Sequence, residues 1–196
     1  YGEAGRQIYD FFWSEYADWY LEIAKIQLSR GGNIAFNTSR LLVRILDTCL
    51  RLLHPFTPYV TEALWGHLKT VAIDQSEAFA PASGWEEALI IAKWPEAELT
   101  SDSDQVAVKD MLMIQDVIRA VRNIRTEKNI KPGTLIPATI VTGEKTAVFE
   151  SQRDVIATLA HLDPEKLEIL PHLDTPPADR ISTAASGIGI FLQIEE

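Results

Sequence analysis

The stretch Leu50-Arg51-Leu52-Leu53-His54-Pro55-Phe56-Thr57-Pro58-Tyr59-Val60-Thr61-Glu62-Ala63-Leu64-Trp65 joins a leucine-rich amphipathic run to a corner with two prolines. Proline lacks a backbone N–H and pushes its predecessor out of helical geometry, so the run ends before Pro55. A new helix then starts at Pro58, where the missing donor costs nothing, and the Thr57 hydroxyl is placed to accept from an early N–H. Leu64 and Trp65 supply the next apolar anchor. The spacing predicts two helices meeting at a rigid angle, with His54 as a hydrogen-bonded corner residue.

Working outward, Ile8, Phe11, Phe12, Trp19, Ile23 and Ile26 recur at helical period over residues 3–28, with Trp13, Tyr20 and Ala24 as a second apolar flank. So broadly apolar a helix belongs inside a bundle. Gly31-Gly32 ends it, and a second helix over residues 33–53 carries Leu41, Leu42, Ile45, Leu46, Cys49, Leu52 and Leu53 on one face. Arg40, Arg44 and Arg51 share the opposite side. A third helix is predicted over 58–69, then a loop with an extended segment at 89–92, an acidic linker over 96–104 and a fourth helix over 104–128. Beyond Lys131-Pro132-Gly133 the β-branched run 134–142 predicts a strand, followed by a helix over 147–161, strands at 167–170 and 188–194, and a loop over 171–179 between them. The fold class is mainly α: a helical bundle over 1–131 followed by a small α/β subdomain over 132–196.

The chain of 196 residues is 46% hydrophobic, enough for a real core. No apolar run approaches the roughly 20 residues that span a bilayer, and the N-terminus is not a signal sequence, so a soluble cytoplasmic protein with no membrane partner is expected. Cys49, the only cysteine, excludes an internal disulfide and sits where a buried structural thiol is expected. His54, His67, His161 and His172 lack ligand spacing, so no metal site is expected.

A net charge of −10 argues against a nucleic-acid partner, yet the acids are unevenly spread. Residues 71–118 hold two basic and ten acidic side chains, whereas residues 119–133 hold five basic and one acidic. Screening beyond roughly 8 Å at physiological salt lets a positive groove exist on such a body.

The corner does not stand alone. It lies between Trp13-Ser14-Glu15-Tyr16-Ala17-Asp18-Trp19-Tyr20-Leu21-Glu22 on one side and, on the other, Trp94-Pro95 and Ile118-Arg119-Ala120-Val121-Arg122-Asn123-Ile124-Arg125-Thr126-Glu127-Lys128-Asn129-Ile130-Lys131-Pro132-Gly133. In order and spacing these segments resemble the anticodon-binding region of class I aminoacyl-tRNA synthetases, the valyl-tRNA synthetases most closely. The resemblance implies a fragment that recognises valine tRNA within a monomeric ATP-dependent ligase, the catalytic domain being elsewhere in the same polypeptide. It further implies a preceding helical segment of the bundle and a following coiled-coil arm. This sequence holds no catalytic residues of that family: neither its His-Ile-Gly-His-like signature nor its Lys-Met-Ser-Lys-Ser-like loop occurs, and no cofactor is expected here, ATP belonging to the parent enzyme. Two alternatives stay open: the equivalent region of an isoleucyl or leucyl enzyme, and a synthetase-derived interaction or scaffold module.

Candidate RNA contacts are Arg40, Arg44, Arg51, Arg119, Arg122, Arg125 and Lys128. In the fourth helix Arg125 and Lys128 project within the apolar stripe and Arg122 at its edge, which is costly unless each meets an anion or a partner. RNA phosphates, bundle carboxylates such as Glu15, or contact with a catalytic body would each satisfy them. For Arg40, Arg44 and Arg51 the plainer reading is a solvated face. Trp13, Trp19 and Tyr20 could stack on splayed bases, although their spacing fits core packing better.

Overall fold

The computed structural model describes every residue except Tyr1, Ala82, Glu98, Leu99, Pro176, Ala178, Glu195 and Glu196. Parts of the expected acidic linker and of the expected loop over 171–179 therefore lie outside the described residues. The chain divides into two compact units, Tyr1–Glu98 and Leu99–Glu196. Among the described residues no helix is long and apolar enough to cross a membrane.

The first unit opens with α1 (Gly2–Phe11), a π-helical stretch (Phe12–Tyr20) and α2 (Leu21–Ser29) in unbroken succession. The wider π turn changes the phase expected from a 3.6-residue period. Tyr16, Trp19, Ile23 and Ala24 are buried, while Phe11 and Trp13 turn outward, and Phe12, Tyr16 and Tyr20 stack in steps of four at 5.4 and 6.1 Å. Gly31, at φ 70°, lets the chain reverse into α3 (Gly32–Leu53).

The proline corner forms as the sequence predicts, with α4 (Pro58–Gln75) starting on Pro58. Its cap differs. Thr57 accepts no N–H through its side chain; its hydroxyl instead faces the Leu53 carbonyl, and the corner is tied by a 2.9 Å contact between His54 Nδ1 and Thr61 Oγ1. Helix α4 runs beyond residue 69 because buried Ala72 keeps the last turns docked, although Val71 and Ile73 are exposed.

Residues 76–81 and 83–97 return across α3 and α4. The Glu62 carboxylate accepts from the Leu89 N–H at 2.7 Å, Lys69 donates to the Glu86 carbonyl at 2.6 Å, and Phe36 meets Phe79 at 5.3 Å. Leu50, Trp65 and Leu89 form the buried centre beneath, with Trp85 edge-on to Trp65 at 5.4 Å. The extended segment expected at 89–92 is a 3-10 turn over Leu89–Ile91, since burial of Leu89 needs only one inward side chain.

The second unit begins with α5 (Asp102–Glu127), capped by a reciprocal pair: Ser101 Oγ accepts from the Asp104 N–H and Asp104 accepts from the Ser101 N–H. Asn129, in left-handed geometry at φ 51°, ends it. Then follow β1 (Ile136–Val141), α6 (Thr146–Ser151), α7 (Arg153–Ala160), β2 (Leu162–Leu170), β3 (Ile181–Ala185) and β4 (Ile188–Leu192). The sheet order is β2-β1-β4-β3, with β1 parallel to β2 and antiparallel to β4, so β1, α6, α7 and β2 make one crossover unit. The single helix expected over 147–161 is interrupted at Gln152, and strand β3 went unrecognised in the sequence. β3 is tied to β4 through Ser186 and Gly187, both at positive φ, as a twisted two-residue hairpin requires. Strand β2 starts five residues earlier than expected and bulges between the Ile136–Leu162 and Ala138–Leu167 pairs, which lets Pro164 sit where no ladder donor is needed.

The contacts divide the chain near residue 98, whereas the charge and composition shift suggested a boundary near Lys131. Helix α5 explains the difference: its apolar residues Ile114, Val117, Ile118, Val121 and Ile124 are buried within the second unit, where α5 packs on α7, β3 and β4.

Candidate nucleic-acid interface

Arg40, Arg44, Asp47 and Arg51 fall four, three and four residues apart on α3 and so lie along one face. They line a cavity of about 1070 Å³, lined also by residues 78–81, Ser83 and residues 93–97, including Lys93, Trp94 and Glu96. Arg40 and Arg44 are exposed, as a solvated face requires. Arg51 is not: it is 6% exposed, because residues 93–97 fold over that end of the helix. Its Nε donates to both Asp47 oxygens at 3.0 and 2.9 Å, and its Nη1 donates to the Lys93 carbonyl at 2.8 Å. Trp65 Nε1 donates to the same carboxylate at 2.6 Å, and the Arg51 guanidinium stands 5.8 Å from the Trp65 ring centre. Nη2 of Arg51 is buried without a hydrogen-bond partner among the described residues.

The cations of α5 take a different course. Arg125, 6% exposed, donates from Nη1 to the His161 carbonyl and from Nη2 to the Lys131 carbonyl, each at 3.1 Å. Burial lowers its pKa from the ordinary guanidinium value. Arg122 is exposed yet donates to the Leu159 carbonyl at 2.8 Å. Leu159 and His161 close the C-terminal turn of α7, where carbonyls lack helical partners and the helix dipole favours a cation. Main-chain carbonyls thus accept from both Arg122 and Arg125. Lys128 is a correction: it caps the end of α5 and is exposed, so it does not project within the stripe. Arg119 is exposed and paired with Asp116 at 3.1 Å.

Trp19 is buried, Tyr20 half-buried and Trp13 51% exposed, so the three aromatic candidates do not form one stacking platform. Burial pushes the Tyr16 hydroxyl up to about 12 and raises the thiol of Cys49, which is buried and unbridged. Sequence reasoning missed Asp47, Lys93 and Trp94 as cavity residues. Asp47 was legible in principle, being the sole acid on α3 and four residues before Arg51; the approach of Lys93 and Trp94 is long-range.

A family model described as the anticodon-binding domain of tRNA ligase matches residues 1–140. The chain belongs to that family. As an anticodon-binding domain it is similar along its whole length to the valine–tRNA ligase of Bacillus licheniformis, at 37% identity, and to that of Listeria innocua, at 36%. It is 34% identical to the chloroplastic/mitochondrial valine–tRNA ligase 2 of Arabidopsis thaliana over 91% of its length. The chain spans about one fifth of the length of these relatives, from 17% to 20%.

Proposed function

We infer that this chain recognises the anticodon stem-loop of valine tRNA within a monomeric valine–tRNA ligase, whose catalytic domain, elsewhere in the same polypeptide, uses ATP. The observation that carries this reading is the alignment of the whole chain with valine–tRNA ligases. Geometry supports it by offering exposed cations: Arg40 and Arg44 on α3, and Arg119, Arg122 and Lys128 on α5. Such side chains fix register through phosphates, while base identity is read from unstacked loop nucleotides. Arg125 acts as a positioning residue, its guanidinium occupied by carbonyls. Residues 1–131 carry recognition in this reading, and residues 132–196 support α5, which packs on α7, β3 and β4.

The test is a salt titration of binding to valine tRNA, to a noncognate tRNA and to valine tRNA with an altered anticodon. Binding that prefers the first and weakens steeply with salt is expected. Equal, weak binding to all three would remove the recognition role from these residues.

A further inference from the structure

The cavity beside α3 has features that a solvated arginine face does not explain. Its lining carries Arg40, Arg44, Arg51 and Lys93 against Asp47 and Glu96, a positive excess on a chain whose net charge is −10. The two acids are engaged: Asp47 by Arg51 and Trp65, and Glu96 by Lys93 at 2.7 Å. Arg51 is more than nine-tenths buried, lines the cavity, and keeps one nitrogen without an acceptor among the described residues. A buried guanidinium N–H left unmatched is costly, and such groups are rare in folded proteins. Trp94, 56% exposed, lines the same cavity and offers an aromatic face. A volume of about 1070 Å³ is at the upper end of ligand sites and holds a whole nucleotide.

We propose that this cavity is a nucleotide seat for single-stranded RNA: a phosphodiester is held by Arg40, Arg44 and the unpartnered Nη2 of Arg51, and an adjacent base stacks on Trp94. It deepens the RNA-binding reading above and rests on it, but it makes a separate demand, because it assigns the contact to α3 and Trp94 rather than to α5. Arg51 is suited to the task because Asp47 and the Lys93 carbonyl already fix its plane, so a phosphate meets a preorganised donor. Base stacking on an exposed tryptophan is tolerant of sequence, so the seat supplies affinity and register rather than identity.

The chain, labelled with ¹⁵N, is titrated with a single-stranded RNA pentanucleotide, with adenosine monophosphate and with inorganic phosphate. The indole resonance of Trp94, assigned by its loss in Trp94→Phe, and the Nε resonance of Arg51 report the site. The pentanucleotide should shift both, with AMP and phosphate at least about tenfold weaker. Arg40→Gln/Arg44→Gln, which alters exposed positions, should weaken RNA binding and reduce the slope of log K against log salt by about 0.7, the value for one single-strand phosphate contact. Trp94→Ala should weaken binding about tenfold, within the range for one stacked base, and leave the slope unchanged. Undiminished, still anticodon-sensitive tRNA affinity in both variants would overturn the seat while leaving the recognition role intact. AMP or phosphate binding as tightly as the pentanucleotide would assign the cavity to a free small anion instead, and unmoved Trp94 and Arg51 resonances with all three probes would mean that the buried nitrogen meets water only. If the pentanucleotide shifts both resonances but tRNA binding ignores the anticodon, the seat stands and the recognition role falls.

Discussion

Arg51 in the first unit and Arg125 in the second are equally buried, each 6% exposed, and are held in opposite ways. Arg51 meets a full negative charge: Asp47 takes its Nε and also the Trp65 indole N–H. Arg125 meets the backbone carbonyls of His161 and Lys131. The first arrangement is an ion pair whose members each depend on the other, while the second is a cation neutralised by dipoles that also fastens the end of α5 to the residues entering β1 and β2. Sequence placed both arginines among RNA contacts. Burial leaves neither on a solvated face, and what separates them from each other is whether the partner retains a charge after the arginine is removed.

Asp47→Ala tests the difference most severely. It strands the Arg51 guanidinium and removes the acceptor of Trp65, so the first unit should lose about 3–5 kcal/mol, the range for breaking a buried pair from one side. All five tryptophans lie before residue 95, so urea unfolding followed by tryptophan fluorescence reads this unit alone. A loss below about 1 kcal/mol is the range of a solvated pair and would erase the contrast with Arg125.

Arg125→Met leaves carbonyls, not a charge, without a partner. The expected loss is about 2–3 kcal/mol, because several hydrogen bonds to a charged donor vanish but water can reach some of the acceptors. The readout is amide exchange at Ile140 and Ile190, buried at the centre of the sheet. Arg125→Lys should restore little, since an ammonium cannot reproduce the planar fork that spans carbonyls 30 residues apart in sequence. Equal loss of protection at Trp65 would show that the two units unfold together and that the comparison of separate sites has no thermodynamic meaning.

The same pair of arginines marks how far sequence could be read. Helices α3, α4 and α5 were legible because apolar period and the proline corner are local signals. Arg51 was misplaced because helical period predicts which residues share a face, not whether a distant segment covers it; residues 93–97 do so through contacts more than 40 positions away. Arg125 was rightly placed on the apolar stripe, but its partners are main-chain atoms, which no residue pattern advertises. The π-helical stretch was also invisible, since it contains neither proline nor glycine, and Trp13 within it is exposed. Strand β3 was lost because Ile181-Ser182-Thr183-Ala184-Ala185 is short and half exposed, with little alternation of polarity.

Removing a cap separates local from tertiary support within the second unit. Ser101→Ala deletes the acceptor for the Asp104 N–H and should cost about 1 kcal/mol, seen as faster exchange in the first turns of α5. Protection at Val121 and Ile124, near the Arg125 clamp, should barely change. If it falls equally, α5 is held as one rigid element and the clamp is not a separate anchor.

The smallest effect at neutral pH is expected from Tyr16→Phe, which removes one long hydrogen bond, 3.3 Å to the Leu42 carbonyl, worth about 0.5 kcal/mol. Its value lies in pH. Burial raises the Tyr16 pKa from 10.0 to about 12 in the folded chain, so folding favours the protonated phenol. That contribution is complete below pH 10 and is lost as pH climbs through 10 toward 12, because the unfolded chain ionises first. Cys49, raised from 9.0 by burial, acts in the same direction and begins earlier. Both groups belong to the first unit, so fluorescence-detected stability should fall with alkali while exchange protection at Ile140 and Ile190 holds. Tyr16→Phe should flatten the part of that fall above pH 10 and leave the Cys49 part. A wild-type profile that is level to pH 12 would mean that Tyr16 ionises as easily folded as unfolded, and that the first unit opens to water around the π-helical stretch.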